Sequence, residues 1–274
     1  MFAIEASDAE FEALLQKISH DRGFQCASYK QTCLRRRVAV RMRARGVHRY
    51  ADYAHLLDAD GHEYDLLLDA LTINVTRLFR NPEVYAALAR EVIPALWSSP
   101  LPKIRVWSAG CSSGEEATSL AILFHRHAEQ AGELARLSRV DILGTDIDAR
   151  SLAAAERMEF AAQDFAETPD DIRRRYFAMD PPYRAVDALR PLVHFQRHDM
   201  LHEPPPRPVN DLIVCRNVVI YFDRPSQDRL FQSFHDALAP GGILVLGKVE
   251  TLFGPARQLF TPLNGRERIF RRAA

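Results

Sequence analysis

Two glycines and two acids crowd one short stretch, 108-SAGCSSGEEATS-119. Gly110 and Gly114 mark a tight turn between a strand and a helix, the place where many folds present backbone N–H groups to a nucleotide. Phosphate-binding versions of such a turn often carry a lysine. Here Glu115 and Glu116 follow the second glycine instead. The spacing is not GxGxxG, and two acids aimed at a pyrophosphate would repel it. A dinucleotide is therefore disfavoured and a cationic ligand is favoured. The competing reading is that both acids only complement the positive end of a helix macrodipole.

Ligands of an open parallel sheet bind outside the carboxyl ends of its strands. The residues at those ends here are Gly110, Asp146 with Asp148, Asp199, and Arg216 with Asn217. The set holds three acids and no phosphate-binding lysine. Asp146 ends the second strand, where a carboxylate usually meets ribose hydroxyls; its alternative is a solvated loop acid. Asp199 or its backbone is placed to meet an adenine edge. Ribose and adenine without phosphates, in a site lined by carboxylates, point to S-adenosylmethionine (SAM), with Glu115 and Glu116 near its cationic end. A second motif, 180-DPPY-183, matches one that amino-methylating nucleic-acid methyltransferases carry after their fourth strand. No strand-like run precedes it, and Asp-Pro clusters mark turns, so it reads as a turn.

The elements needed to hold these residues are legible. Ser7 or Asp8 caps a helix through about Ile18, and 29-YKQTCLRRRVAVRMRARG-46 forms a second with Leu34, Val38 and Met42 as its apolar stripe and Gly46 as its stop. Short helices fit 50–58 and 62–73, and Pro82 starts another that runs to about Trp97. Strands are then expected at 103–109, 140–146, 192–199, 211–217, 242–248 and 266–272, alternating with helices at 114–131, 149–157 and 225–238. The turn 239-APGG-242 separates the last helix from its strand, and 203-EPPPRP-208 is a stiff connector. This alternation predicts an α/β, mostly parallel, doubly wound sheet.

Composition sets the outer bounds. The 274 residues include 47% hydrophobic and 26% charged, with 36 basic and 36 acidic side chains, so no global charge draws the chain to nucleic acid or membrane. The longest apolar runs, 212-LIVC-215 and 243-ILVL-246, cannot span a bilayer, and the N-terminus has no signal core; a cytoplasmic location is expected. Cys26, Cys33, Cys111 and Cys215 form no CxxC pair, so they read as free thiols and no metal site is expected.

Four segments in order, 72-TINVTRLFRNP-82, 105-RVWSAGCSSGEEATSLA-121, 143-LGTDID-148 and 211-DLIVCRNVVIYFD-223, resemble the chemoreceptor glutamate methyltransferases of the CheR family. The match runs nearly end to end. It implies a small all-helical N-terminal domain, residues 1–75, joined to a Rossmann-like SAM-dependent methyltransferase domain, residues 76–274. It implies SAM contacts at Asn74, Thr76, Arg80, Gly110, Glu115, Glu116, Asp146, Asp199, Met200, Arg216 and Asn217, with S-adenosyl-L-homocysteine as product. Arg80 and Tyr221 are the pair it implies beside the reacting atoms. Two departures stand out. A histidine-serine-glutamate common in the family is replaced by 247-GKVE-250, with Lys248 at the histidine. The stretch 177-FAMDPPYRAVDALRP-191 has no glycine, so docking on a receptor tail peptide is not expected.

The implied chemistry suits the residues. A glutamate carboxylate is ionised near pH 7 and needs no general base, which agrees with the lack of a catalytic histidine pair. Arg80 is expected to orient it by one-sided contact and Tyr221 to position it by a hydrogen bond; the alternatives are an Arg80 that only binds the cofactor carboxylate and a Tyr221 that only caps the pocket. Arg35, Arg36, Arg37, Arg41, Arg43 and Arg45 offer a basic surface to the acidic methylation helices of receptors; a solvated face without a partner is the alternative. Nucleic-acid binding and membrane insertion are not expected, and the chain reads as a monomer. The rival functions are a nucleic-acid methyltransferase and a SAM-binding scaffold without turnover.

Overall fold

The computed structural model describes residues 7–72 and 75–273. The chain divides into two compact units, Met1–Asn74 with Tyr221–Gln227, and Val75–Ile220 with Asp228–Ala274.

The first unit is helical. Its helices are α1 (Asp8–Arg22), α2 (Gln31–Ala44), α3 (Tyr50–Ala59) and α4 (Gly61–Thr72). Ser7 caps α1 by accepting the Glu10 N–H, and Gly23 stops it at φ 67°. Phe11, Leu14 and Ile18 of α1 meet Leu34, Val38 and Met42 of α2 in one apolar core with Tyr53, Leu57 and Leu67. The stripe read from sequence is thus the buried face of α2. Glu63 is fully buried beneath it. Arg41 holds it with two hydrogen bonds, the Nε contact at 3.1 Å, and the Tyr53 hydroxyl donates at 2.7 Å. Burial opposes ionisation of Glu63, yet these donors keep its carboxyl below the ordinary range.

The second unit is α/β. A helical stretch opens it as α5 (Pro82–Ala87), a π-helical turn (Leu88–Val92) and α6 (Ile93–Trp97). Then follow β1 (Ile104–Ala109), α7 (Glu115–Gln130), β2 (Val140–Asp146), α8 (Ala149–Arg157), β3 (Glu159–Phe160), α9 (Asp170–Tyr176), β4 (Tyr183–Arg184), β5 (Val193–Arg197), β6 (Asn210–Cys215), α10 (Arg224–Ala237), β7 (Leu238–Leu246), α11 (Ala256–Leu259), β8 (Phe260–Asn264) and β9 (Ile269–Arg272). The main sheet runs β5-β2-β1-β6-β7-β9-β8. Its first five strands are parallel, and β9 pairs antiparallel with both β7 and β8. The chain order therefore reverses between β1 and β6, which is where an open sheet of this kind forms its crevice. Val106, Ile142, Leu212, Val214 and Val245 share one core with Leu120 and Phe124 of α7.

Three expectations need correction. The 239-APGG-242 stretch lies within β7, whose pairing with β6 shifts register between Asn210 and Leu212. The helix expected from Pro82 to Trp97 changes to π geometry midway. The final strand begins at Ile269, because 265–268 form a turn. That turn joins it to β8, a strand the pattern did not reveal. The DPPY stretch is a bend leading into β4, outside the main sheet.

Candidate functional site

The carboxyl ends of β1, β2 and β6 build the site. After β1 the chain turns at Gly110, whose N–H and that of Cys111 both donate to Thr145 O, at 2.8 and 2.9 Å. Gly110 has φ 79°, and a Cβ there would stand 2.7 Å from Val218 Cγ2 and 3.3 Å from Met200 Cε. Gly114 has φ 92°, and its Cβ would stand 2.9 Å from that of Ala155. Both conformation and space demand glycine. Gly110, Met200 and Val218 are thereby in mutual reach.

The acids are buried, not solvated. Glu115 receives Ser113 Oγ at 2.9 Å on both oxygens and a hydrogen bond from the Thr76 side chain; burial pushes its carboxyl up to about 7. Glu116 accepts from Ser108 Oγ at 2.8 Å and faces the Arg216 guanidinium at 3.7 Å. Burial raises its carboxyl as well, against the pull of Arg216 and Arg80. Exposed first-turn acids would show neither feature, so the macrodipole alone does not account for them. Asp146 accepts the Ser112 N–H at 2.8 Å and the Asp148 N–H at 3.0 Å. It too is raised by burial, which removes the reading as a solvated loop acid.

Asp199 is half spent on its own turn. It accepts the Leu201 N–H at 3.0 Å and pairs with His202 Nδ1 at 2.9 Å. The Arg216 side chain is committed to the protein. Its Nη2 donates to Arg80 O at 2.8 Å and Asn81 Oδ1 at 3.0 Å, and Nη1 to the Tyr85 hydroxyl at 3.4 Å. The guanidinium thus ties Glu116 to Arg80 and Asn81, while its Nε is buried without a partner. Asn217 stands at φ 62°, and its Oδ1 is buried without a partner. Arg80 is half-buried and spends Nη1 on Val75 O at 2.8 Å. Asn74 lies outside the described residues.

Tyr221 groups with the helical unit, whereas the sequence reading set it in the α/β domain. Its carbonyl accepts the Lys30 N–H at 2.9 Å, and the Arg37 guanidinium lies 5.6 Å from its ring centre. The six arginines of the basic segment divide by partner. Arg35 is paired with Asp8, Arg41 with Glu63, and Arg45 with Asp60 and Glu63. Arg37 donates to Ala70 O at 2.7 Å. Arg36 and Arg43 are the two of the six that are exposed and make no ion pair among the described residues.

Sequence reading missed Glu250, which accepts N–H groups of Gly247, Asn217 and Val218. It also missed Ser119, whose Oγ accepts the Phe79 N–H at 3.0 Å and donates to Glu115 O at 2.6 Å. Glu250 is 33 residues from its Asn217 partner, so only the tertiary fold reveals the contact. Lys248, at the family histidine, pairs with Glu83 at 2.9 Å.

Family comparison also divides the chain in two, with Tyr221 inside the second match. The model described as "CheR methyltransferase, all-alpha domain" matches residues 9–72, and "CheR methyltransferase, SAM binding domain" matches residues 74–269. The chain belongs to the CheR methyltransferase family. A chemotaxis protein methyltransferase of Listeria innocua is 33% identical over 90% of this chain and 92% of its own. One of Klebsiella aerogenes is 32% identical over 93% and 87%, and one of Pseudomonas aeruginosa 29% over 91% and 92%. The cofactor of this family domain is SAM. The site residues fit it on two counts: a turn with no room for side chains at Gly110 and Gly114, and orphaned buried acceptors at Ser112 Oγ and Asn217 Oδ1 that await a ligand's donors. No helix among the described residues is long and apolar enough to cross a membrane.

Proposed function

We propose that this chain is a SAM-dependent protein-glutamate O-methyltransferase that forms γ-methyl esters on bacterial chemoreceptors and works in the cytoplasm. The observation that carries this is the glycine turn backed by buried Glu115, Glu116 and Asp146, in a chain matched by both CheR domains. Phosphates are rejected by that charge, whereas a sulfonium and an amine are accepted.

SAM supplies an electrophilic methyl group to an already ionised glutamate carboxylate. No residue has to remove a proton from the nucleophile. The protein's work is to hold two ions in line and keep water out. Asp146 takes ribose hydroxyls through the lone pairs that its backbone donors leave open. Thr76, Glu115 and Glu116 surround the amino-acid end. Met200 and Val218 wall the ring, and Asn217 Oδ1 takes a donor from the cofactor. Arg80 orients the carboxylate with the nitrogens it does not spend on Val75, a task suited to a planar fork. The positioning role of Tyr221 and the cofactor contact of Asn74 rest on family resemblance alone.

The test is incubation with labelled SAM and receptor signalling fragments from the source cell, scored as base-labile methyl ester, with Arg80→Lys alongside. Ester on at least one fragment is expected, and the variant should lose about 100-fold in turnover, as for removal of a group that acts in the transition state. Absence of ester on every fragment would sink the function. Wild-type turnover in the variant would remove Arg80 from the mechanism.

A further inference from the structure

Glu250 is 2% exposed and forms no ion pair among the described residues. Its charge is met by backbone alone. Oε2 accepts the Gly247 N–H at 2.6 Å and the Asn217 N–H at 3.1 Å, and Oε1 accepts the Val218 N–H at 2.9 Å. The Val219 N–H adds to this set, so backbone donors oppose the upward push of burial on the carboxyl.

These donors come from two chain segments, one after β6 and one after β7, where two paired parallel strands part. The carboxylate ties them together. The tie also explains a strained residue. Asn217 holds φ 62°, a left-handed conformation that persists only where its surroundings over-determine it. Two consequences reach the cofactor side of the sheet. The Asn217 amide is fixed with Oδ1 buried and unpartnered, and Val218 is pressed against the bare face of Gly110. Gly247 is required for the same clamp, since a Cβ there would stand 2.8 Å from both Asn217 N and Glu250 Oε2.

We propose that Glu250 is a positioning residue for SAM: by clamping the N–H groups of Asn217 and Val218 it fixes the Asn217 amide and the Val218 wall that meet the cofactor. This rests on the proposed role of Asn217. Glu250 touches neither cofactor nor receptor carboxylate, so it governs cofactor binding and leaves methyl transfer from the bound state intact.

The experiment compares Glu250→Gln, Asn217→Ala and the double variant of the full chain. SAM affinity is measured by calorimetry, and kcat and KM with a receptor fragment. A glutamine has the same size but one acceptor oxygen, so at least one N–H loses its partner. Glu250→Gln should raise KM for SAM about tenfold, the scale of one unsatisfied buried group, with kcat at saturating SAM kept within about threefold. The double variant should weaken SAM binding by less than the product of the two single losses, because the Asn217 part of the clamp is common to both. Glu250→Asp is the second variant should the glutamine fail to fold. It keeps the charge, shortens the reach, and should show the same KM-selective loss. Unchanged SAM affinity in the Glu250 variants, with Asn217→Ala weakened, overturns the positioning role alone. Unchanged affinity in Asn217→Ala overturns the assignment of Asn217 and with it this route. Additive losses in kcat, KM and melting temperature together would make Glu250 a scaffold residue only and overturn the proposal.

Discussion

At the residue scale, Glu115 couples the cofactor site to pH. Burial lifts its carboxyl from 4.5 to about 7 in the folded chain. Between those values the folded protein holds a proton that the unfolded chain has released. Stability contributed by this group is therefore fully present below pH 4.5 and is lost as pH rises toward 7. The ceiling on that loss is about 3 kcal/mol, from 1.36 kcal/mol per unit. Glu115→Gln stays neutral throughout and lacks the slope. Calorimetric melting of the SAM-free protein at pH 5 and pH 8 should show wild type losing more than the variant on going to pH 8. Parallel losses would mean that Glu115 titrates in the ordinary range. The same ionisation makes the site more negative, so SAM binding should strengthen over this window while stability falls.

At the scale of elements, what sequence reveals is periodicity, and what it hides is partnership. The continuous apolar run 212-LIVC-215 announces β6 because every residue of that strand is buried. β8, with three consecutive exposed residues and a proline, carries no such pattern, and β3 and β4 are two residues each, too short for any period. Strand ends are equally legible, so Gly110, Asp146 and Asn217 could be placed; the commitment of Arg216 to Glu116, Asn81 and Tyr85 could not, since those partners come from distant segments. Helix α2 shows both sides. Its Leu34, Val38 and Met42 stripe is readable, and with it the opposite, outward positions of Arg36 and Arg43, but the acidic partners of Arg35, Arg41 and Arg45 are not. In the fold Arg41 is internal wiring, because Glu63 beneath it is fully buried. Removing one partner of a buried pair strands the other, which costs about 3 kcal/mol or more. Arg41→Ala should therefore lose about 3 kcal/mol in a denaturant titration, while Arg36→Ala should stay within about 0.5 kcal/mol, as for exposed positions. Equal effects would show that Arg41 carries no special load.

At the scale of the whole molecule, 36 basic and 36 acidic residues cancel, so no net charge draws the protein to an acidic receptor from afar. Attraction has to come from a local excess. Ion pairing within the helical unit consumes Arg35, Arg41 and Arg45, which leaves Arg36 and Arg43 as the exposed cations of α2 able to meet an acidic helix. Such a patch acts over a Debye length, about 8 Å at physiological salt. We propose that this patch meets the receptor, in which case it governs encounter and not chemistry. Reversing both residues (Arg36→Glu and Arg43→Glu together) should raise KM for a receptor fragment about tenfold at low salt, a scale set by electrostatic steering. The gap to wild type should close as salt is added, and SAM affinity should hold throughout. A gap that persists in high salt would mean that the two arginines make a short-range contact, and no gap at any salt would mean that they meet no receptor. Loss of SAM affinity in parallel would mean a folding defect, and the encounter surface would then have to be sought away from α2.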